Sequence, residues 1–171
     1  MSRWFRSYGF AEVSDGLVVG AYPLDEADVA TLALMGIKRV LNLTEDSEYR
    51  RGERESVVGA LQSAGIEEDR LGFTDYGPLP AGRLDDAVRR VSAWLDDGSR
   101  TYVHCRAGWQ RSAAVAAAVI AAREGLEIDD ALGQVQRRKP SADPLPRQRE
   151  DLRRWWAARR AAQLGGKTQS G

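Results

Sequence analysis

From Thr101 onward the chain runs through a short β-prone stretch, Thr101-Tyr102-Val103. Nine residues follow, polar or small except for Trp109, and then ten consecutive apolar ones, Ala113 to Ala122. A helix that is apolar on every side has to be enclosed on every side, so this run belongs at the centre of a layered fold and not on its surface. At ten residues it is also about half as long as the roughly 20 that a membrane-spanning helix needs. A strand that feeds a buried helix through a tight loop is the signature of an α/β sheet.

The rest of the chain repeats that alternation. Leu17 to Tyr22 is β-prone, and the stretch opened by Pro23-Leu24-Asp25 has helical composition up to Gly36. Ile37 to Leu43 reads as a strand, and Asn42 to Tyr49 is polar. Arg54 to Ala64 is helical until Gly65, and Ile66 to Phe73 is a weaker strand. From Arg83 to Asp97, Leu84, Ala87, Val88, Val91, Trp94 and Leu95 recur at helical spacing before Gly98. Two further helices are expected, near Ile128–Lys139 and Pro146–Ala162, separated by the break from Pro140 to Pro146. The expectation is one α/β domain over residues 1–162, with a central mostly parallel or mixed sheet flanked by helices. Residues 163–171 are expected to form a flexible C-terminal tail.

Charge narrows the function. Twenty-five basic and 25 acidic residues cancel, so no overall field draws the chain onto nucleic acid. The basic residues from Arg137 to Arg160 are interspersed with Glu150 and Asp151, as on solvated helix faces, and Trp155-Trp156 reads as packing. One cysteine and one histidine leave neither a disulfide framework nor a cysteine-based metal site. With no secretory signal and no spanning segment, a reducing cytoplasm and no stable membrane insertion are expected.

The chemistry concentrates in His104-Cys105-Arg106-Ala107-Gly108-Trp109-Gln110-Arg111-Ser112, between the strand and the buried helix, where α/β sheets place ligands. Five residues between Cys105 and Arg111 can curl so that their backbone N–H groups face one centre. The helix N-terminus behind them adds its positive end, and the cavity suits a tetrahedral oxyanion. The same surroundings favour a thiolate, so Cys105 is expected to be an activated nucleophile. The planar fork of Arg111 suits two equatorial oxygens at once. Gly108 sits where backbone must approach closely. His104 reads as a residue that orients the loop, while Arg106 and Trp109 are placed to line its mouth.

These residues resemble the protein tyrosine phosphatase superfamily, and within it the small dual-specificity phosphatases. The likeness rests on His104-Cys105, five residues, then Arg111-Ser112. Gly16-Leu-Val-Val-Gly20, Gly36-Ile-Lys-Arg-Val-Leu-Asn-Leu43 and Arg138-Lys-Pro140 are further landmarks. The resemblance implies that Cys105 attacks phosphorus to give a thiophosphate and that the loop Arg106 to Arg111 binds the phosphoryl oxygens. It further implies that Ser112 eases thiolate departure and that no metal or other cofactor is needed. It also implies an aspartate about thirty residues before the cysteine that protonates the leaving group and later activates water. Asp75 has that spacing, in Phe73-Thr-Asp-Tyr-Gly-Pro-Leu-Pro-Ala-Gly82, a loop whose Gly and Pro content suggests a hinged lid; Asp69, Asp85 and Asp86 are its neighbours. Gln110, where serine is frequent, and the large ring of Trp109 depart from the common pattern and shape the rim.

The expected function is thus phosphomonoester hydrolysis, with a phosphorylated protein or small phosphorylated molecule as substrate. The alternatives are a phosphatase of phosphoinositides or metabolites, and a phosphate-binding module without catalysis. Rhodanese-like sulfurtransferases and small arsenate reductases also place a cysteine in an anion-cradling loop. The Cys-x5-Arg arsenate reductases carry that loop near the N-terminus, however, whereas Cys105 follows more than half of this chain.

Overall fold

The computed structural model describes residues 1–168. Five strands form one mixed sheet in the order β1-β2-β5-β3-β4: β1 (Phe10–Ser14), β2 (Leu17–Gly20), β3 (Ile37–Asn42), β4 (Glu67–Arg70) and β5 (Arg100–His104). Four strands are parallel, and β1 pairs antiparallel with β2 at the edge. The helices are α1 (Arg3–Tyr8), α2 (Glu26–Leu34), α3 (Glu53–Ser63), α4 (Ala81–Asp96), α5 (Arg111–Glu124), α6 (Ile128–Arg138) and α7 (Pro146–Thr168).

Successive residues of a strand face opposite sides, and the central strands supply apolar side chains to both. Leu17, Val19, Leu41 and Val103 pack under α4, α5, α6 and α7, whereas Val18, Val40 and Tyr102 pack against α1, α2 and α3. The sheet is therefore covered on both faces, as the near-continuous apolar runs of β2 and β5 require. The helix expected around Ala113–Ala122 is α5. Eleven of its residues, Arg111 to Ala121, are buried, and Gly125 in a left-handed conformation (φ 68°) ends it.

The expected single α/β domain with a mixed sheet is what the chain forms. Two elements at its start, α1 and β1, were not anticipated. The last helix also continues past Ala162 to Thr168, so the expected tail begins as helix. Ala157 to Gln163 are strong helix formers without proline, and nothing in that stretch stops the turn. Residues 169–171 of that tail lie outside the described residues. Trp155 and Trp156 are buried in the core, as expected of packing residues.

Because β2, β5, β3 and β4 run parallel, their carboxyl ends open onto one edge. The chain winds with α2 and α3 on one face and α4 and α5 on the other, and β5 lies between β2 and β3. The loop after β5 thus emerges at the reversal of the winding, flanked by the segments that leave β2 and β3.

Candidate active site

The loop from Cys105 to Arg111 is held from outside by its carbonyl groups. His104 O accepts from Leu43 N at 2.9 Å, Arg106 O from Tyr22 N at 3.1 Å and Trp109 O from Asp143 N at 2.7 Å. Cys105 O lies 3.0 Å from His104 Nδ1. In a trans peptide the carbonyl and the next N–H point in opposite directions, so turning these carbonyls outward turns the following amides inward. No acceptor among the described residues meets the backbone N–H groups of residues 106 to 112. Gln110, the residue before α5, makes no side-chain cap, which leaves the helix N-terminus facing the same centre.

Gly108 explains the curl. Its φ is 75°, and a β-carbon there would lie 2.5 Å from Gly20 C and 2.9 Å from Ala21 N, inside the backbone at the end of β2. Only glycine accommodates both the torsion and the contact. The Gly20 and Gly108 landmarks are therefore two sides of one backbone approach.

Cys105 is 3% exposed at the base of the loop, and its Sγ lies 3.3 Å from the hydroxyl of buried Ser112. His104 is buried behind it. To bond the carbonyl of Cys105, Nδ1 must carry the ring proton, and burial drives the imidazole's pKa down to about 3, so the ring stays neutral. Its Nδ1–H thus braces the carbonyl at the start of the loop.

Arg111 is the largest fully buried side chain, 1% exposed. Its Nη1 and Nη2 grip Glu48 at 2.8 and 2.7 Å in a two-pronged ion pair, and Nη1 also donates to Phe73 O at 2.9 Å. Burial acts against this guanidinium's charge, but Glu48, Cys105 and Asp75 outweigh it and raise its pKa. Glu48 mirrors this. Burial pushes its carboxyl up, yet bonds from Arg111 and from the Glu45 amide hold it below the usual carboxylate range. Nε of Arg111 is buried and has no partner. Both terminal nitrogens of the fork are thus engaged by the protein, and Nε–H alone is unpaired.

Glu48 was not among the expected site residues. It sits in a single 3₁₀ turn, Asp46–Glu48, inside the polar stretch after β3. Tyr49 fixes that turn: its hydroxyl accepts from Asn42 Nδ2 at 2.7 Å and lies 2.8 Å from Thr44 Oγ1. The available signal was position, because polar residues leaving β3 emerge at the same sheet edge as Cys105.

Asp75 lies on the loop between β4 and α4, with Oδ1 3.1 Å from Arg111 Nη2. The other aspartates considered are occupied elsewhere: Asp69 faces Arg90, Asp85 accepts from Trp155 Nε1 at 2.8 Å, and Asp86 pairs with Arg89. At the rim, Trp109 is 43% exposed and its ring stands 5.3 Å from that of Tyr8, while Arg106 lies over Trp4. Helix α1 therefore supplies part of the wall, which the sequence reading missed. Gln110 Oε1 is buried without a partner. Lys139, expected on a solvated helix face, is instead buried and donates to Tyr8 O and Ser141 Oγ. No cluster that could hold a metal ion occurs among the described residues, and no helix there is long and apolar enough to cross a membrane.

Comparison with known proteins bears on the fold and the family. Structures of PTPMT1 (TM-score 0.78, 25% identity, 91% of this chain and 99% of that one) and of Tk-PTP in its active form (TM-score 0.76, 22% identity, 86% and 96%) share the fold. The dual specificity protein phosphatase Mpk3 of Drosophila melanogaster is 30% identical over 134 residues. The protein-tyrosine-phosphatase IBR5 of Arabidopsis thaliana is 34% identical over 64 residues. The matched part of this chain, 78% of it in the first case and 37% in the second, spans only 30% and 25% of those relatives' lengths. The family model for the catalytic domain of dual specificity phosphatases matches residues 18–157, from the second strand through the loops that carry Asp75 and Cys105 into the last helix, and the chain belongs to that family.

Proposed function

We propose that the chain hydrolyses phosphomonoesters in two steps through a thiophosphate on Cys105. The observation that carries this reading is a thiol at the base of an amide-lined loop whose arginine keeps one buried N–H unpaired. In the first step Sγ attacks phosphorus and the bond from phosphorus to the ester oxygen breaks. Asp75 gives its proton to the departing oxygen. In the second step Asp75 takes a proton from water, whose oxygen attacks phosphorus. The S–P bond breaks, Ser112 donates to the returning thiolate, and inorganic phosphate leaves. The amides of Arg106 to Arg111 and the unpaired Nε–H of Arg111 hold the equatorial oxygens throughout, and their hold tightens as charge develops.

The substrate class is a phosphorylated protein, and the exposed Trp109 beside Tyr8 offers an aromatic face to a phosphotyrosyl side chain. A reducing compartment such as the cytoplasm suits a mechanism that runs on a free thiol.

The test is turnover of p-nitrophenyl phosphate and of phosphotyrosyl, phosphoseryl and phosphoinositide substrates. Cys105→Ser abolishes turnover while vanadate still binds, and Asp75→Asn lowers kcat/KM about 10²-fold or more for poor leaving groups. Turnover by Cys105→Ser comparable to wild type overturns the covalent scheme. Sulfur transfer from thiosulfate in place of phosphate release overturns the reaction class.

A further inference from the structure

The loop that carries Asp75 has the composition of a hinge, but its structure is that of a clamped turn. Its entry continues the sheet edge, since Leu71 N and Phe73 N donate to Asn42 O and Leu43 O, both at 2.9 Å. Gly77 N then bonds back to Thr74 O at 2.9 Å and closes a four-residue turn with Asp75 at its second position. Tyr76, at the third, has φ 57°, a torsion that a side chain other than glycine's seldom adopts. Gly77 serves closeness and not mobility: a β-carbon there would lie 2.8 Å from Thr74 Cβ and 2.9 Å from Thr74 O. Pro78 and Pro80 stiffen the exit.

What holds this turn comes from the far end of the chain. Gln148, fully buried in the first turn of α7, donates from Nε2 to Gly77 O at 3.1 Å, while its Oε1 accepts from Leu145 N at 3.0 Å. Three residues on, Asp151 Oδ2 accepts from Leu79 N at 2.9 Å. Residues i and i+3 lie on one face of a helix, so α7 presents an amide and a carboxylate side by side to the two backbone groups that follow Asp75. Neither side chain reaches Arg111 or Cys105 by any hydrogen bond in the structure.

We infer that Gln148 and Asp151 are positioning residues for the general acid. They hold the turn so that Asp75 stands beside Arg111 without loop closure. This rests on the phosphatase reading above.

The experiment compares two esters. Phosphotyrosine leaves as a phenolate of pKa about 10 and needs the acid's proton, whereas 2,4-dinitrophenyl phosphate does not. Gln148→Met and Asp151→Ala should each lower kcat/KM for phosphotyrosine about tenfold or more, leave the dinitrophenyl ester within about twofold, and flatten the alkaline limb of the phosphotyrosine profile. Asp151→Asn, which keeps an acceptor for Leu79 N, should recover most of the loss. Added to Asp75→Asn, Asp151→Ala should cost nothing further, because both act through one proton. Equal losses on both esters, or full additivity with Asp75→Asn, overturn the inference. Should Gln148→Met fail to fold, the Asp151 pair carries the same comparison. If the wild-type chain hydrolyses neither ester by way of Cys105, the phosphatase reading itself fails and takes this inference with it.

Discussion

Gly108→Ala is the sharpest probe of how the phosphate loop is built. The added methyl group would sit 2.5 Å from Gly20 C, where carbon atoms normally keep about 3.5 Å. The obstacle is backbone at the end of a central strand, which cannot swing aside as a side chain would. The loop must therefore retreat by about 1 Å, and at a reacting centre a shift of that size costs about 10²-fold in rate. The left-handed torsion of 75° adds roughly 1–2 kcal/mol for a residue with a β-carbon, about 2–8 °C in melting temperature for a chain of this size. Steady-state hydrolysis of p-nitrophenyl phosphate, vanadate inhibition and thermal melting should all be measured. Activity and vanadate affinity should fall together, because both depend on amides that converge on one point. Gly82→Ala is the control. Gly82 lies in α4 with nothing within 4 Å of its would-be β-carbon, so the variant should melt at or above the wild-type temperature with unchanged activity. A Gly108→Ala enzyme within threefold of wild type and within 1 °C of its melting point, thresholds set at about the scatter expected of such assays, would refute the close-approach argument.

Glu48→Gln removes the charge that Arg111 grips and leaves a buried guanidinium short of its partner. It should cost about 3 kcal/mol of stability and weaken oxyanion binding, read by denaturant melts and vanadate titration. Because the native carboxyl titrates below its ordinary range, that difference is complete above about pH 4.5 and shrinks as the pH falls through the native value. His104 gives a second signature. Its pKa is held near 3 against 6.5 for a free ring, so between those values the unfolded chain takes up a proton that the native one refuses. Stability should drop by up to about 1.4 kcal/mol per pH unit from 6.5 downward, and the His104→Gln variant should lack that component in urea melts run from pH 7 to 4. Activity should show no inflection of an ordinary histidine near pH 6.5.

The parts legible in the sequence are those whose cause is local. The strand ending at His104, the loop to Arg111 and the apolar helix α5 follow one another directly, so spacing brought Cys105 and Arg111 together, and the resemblance added Ser112. Asp75 was legible through a resemblance, and its place beside Arg111 comes from the sheet order. Glu48 was not legible, because nothing in Asp46-Ser-Glu48 announces an ion pair; the pairing exists only because β3 lies next to β5. Gln148 and Asp151 were hidden for the same reason, being more than seventy residues from the backbone groups they bind. Helix α1 has six residues, too few to stand without packing, and owes its form to Phe5 in the core and Ser2 on Asp28. Strand β1 is a half-exposed edge with a single buried residue, Val13, too little pattern to read.

Helix α5 has a consequence for how this protein can vary. Its buried face is every face, and Ala113, Ala114, Ala116, Ala117, Ala118 and Ala121 have no exposed surface at all. Adding even one or two methylene groups at such a site forces neighbours off their rotamers, typically at 1–3 kcal/mol. In a saturation mutagenesis screen this stretch should be among the least tolerant of larger residues although none of its alanines touches a substrate. Drift at this site is thus filtered by volume, and descendants of the chain are free to diversify at the rim while the spindle behind it stays thin.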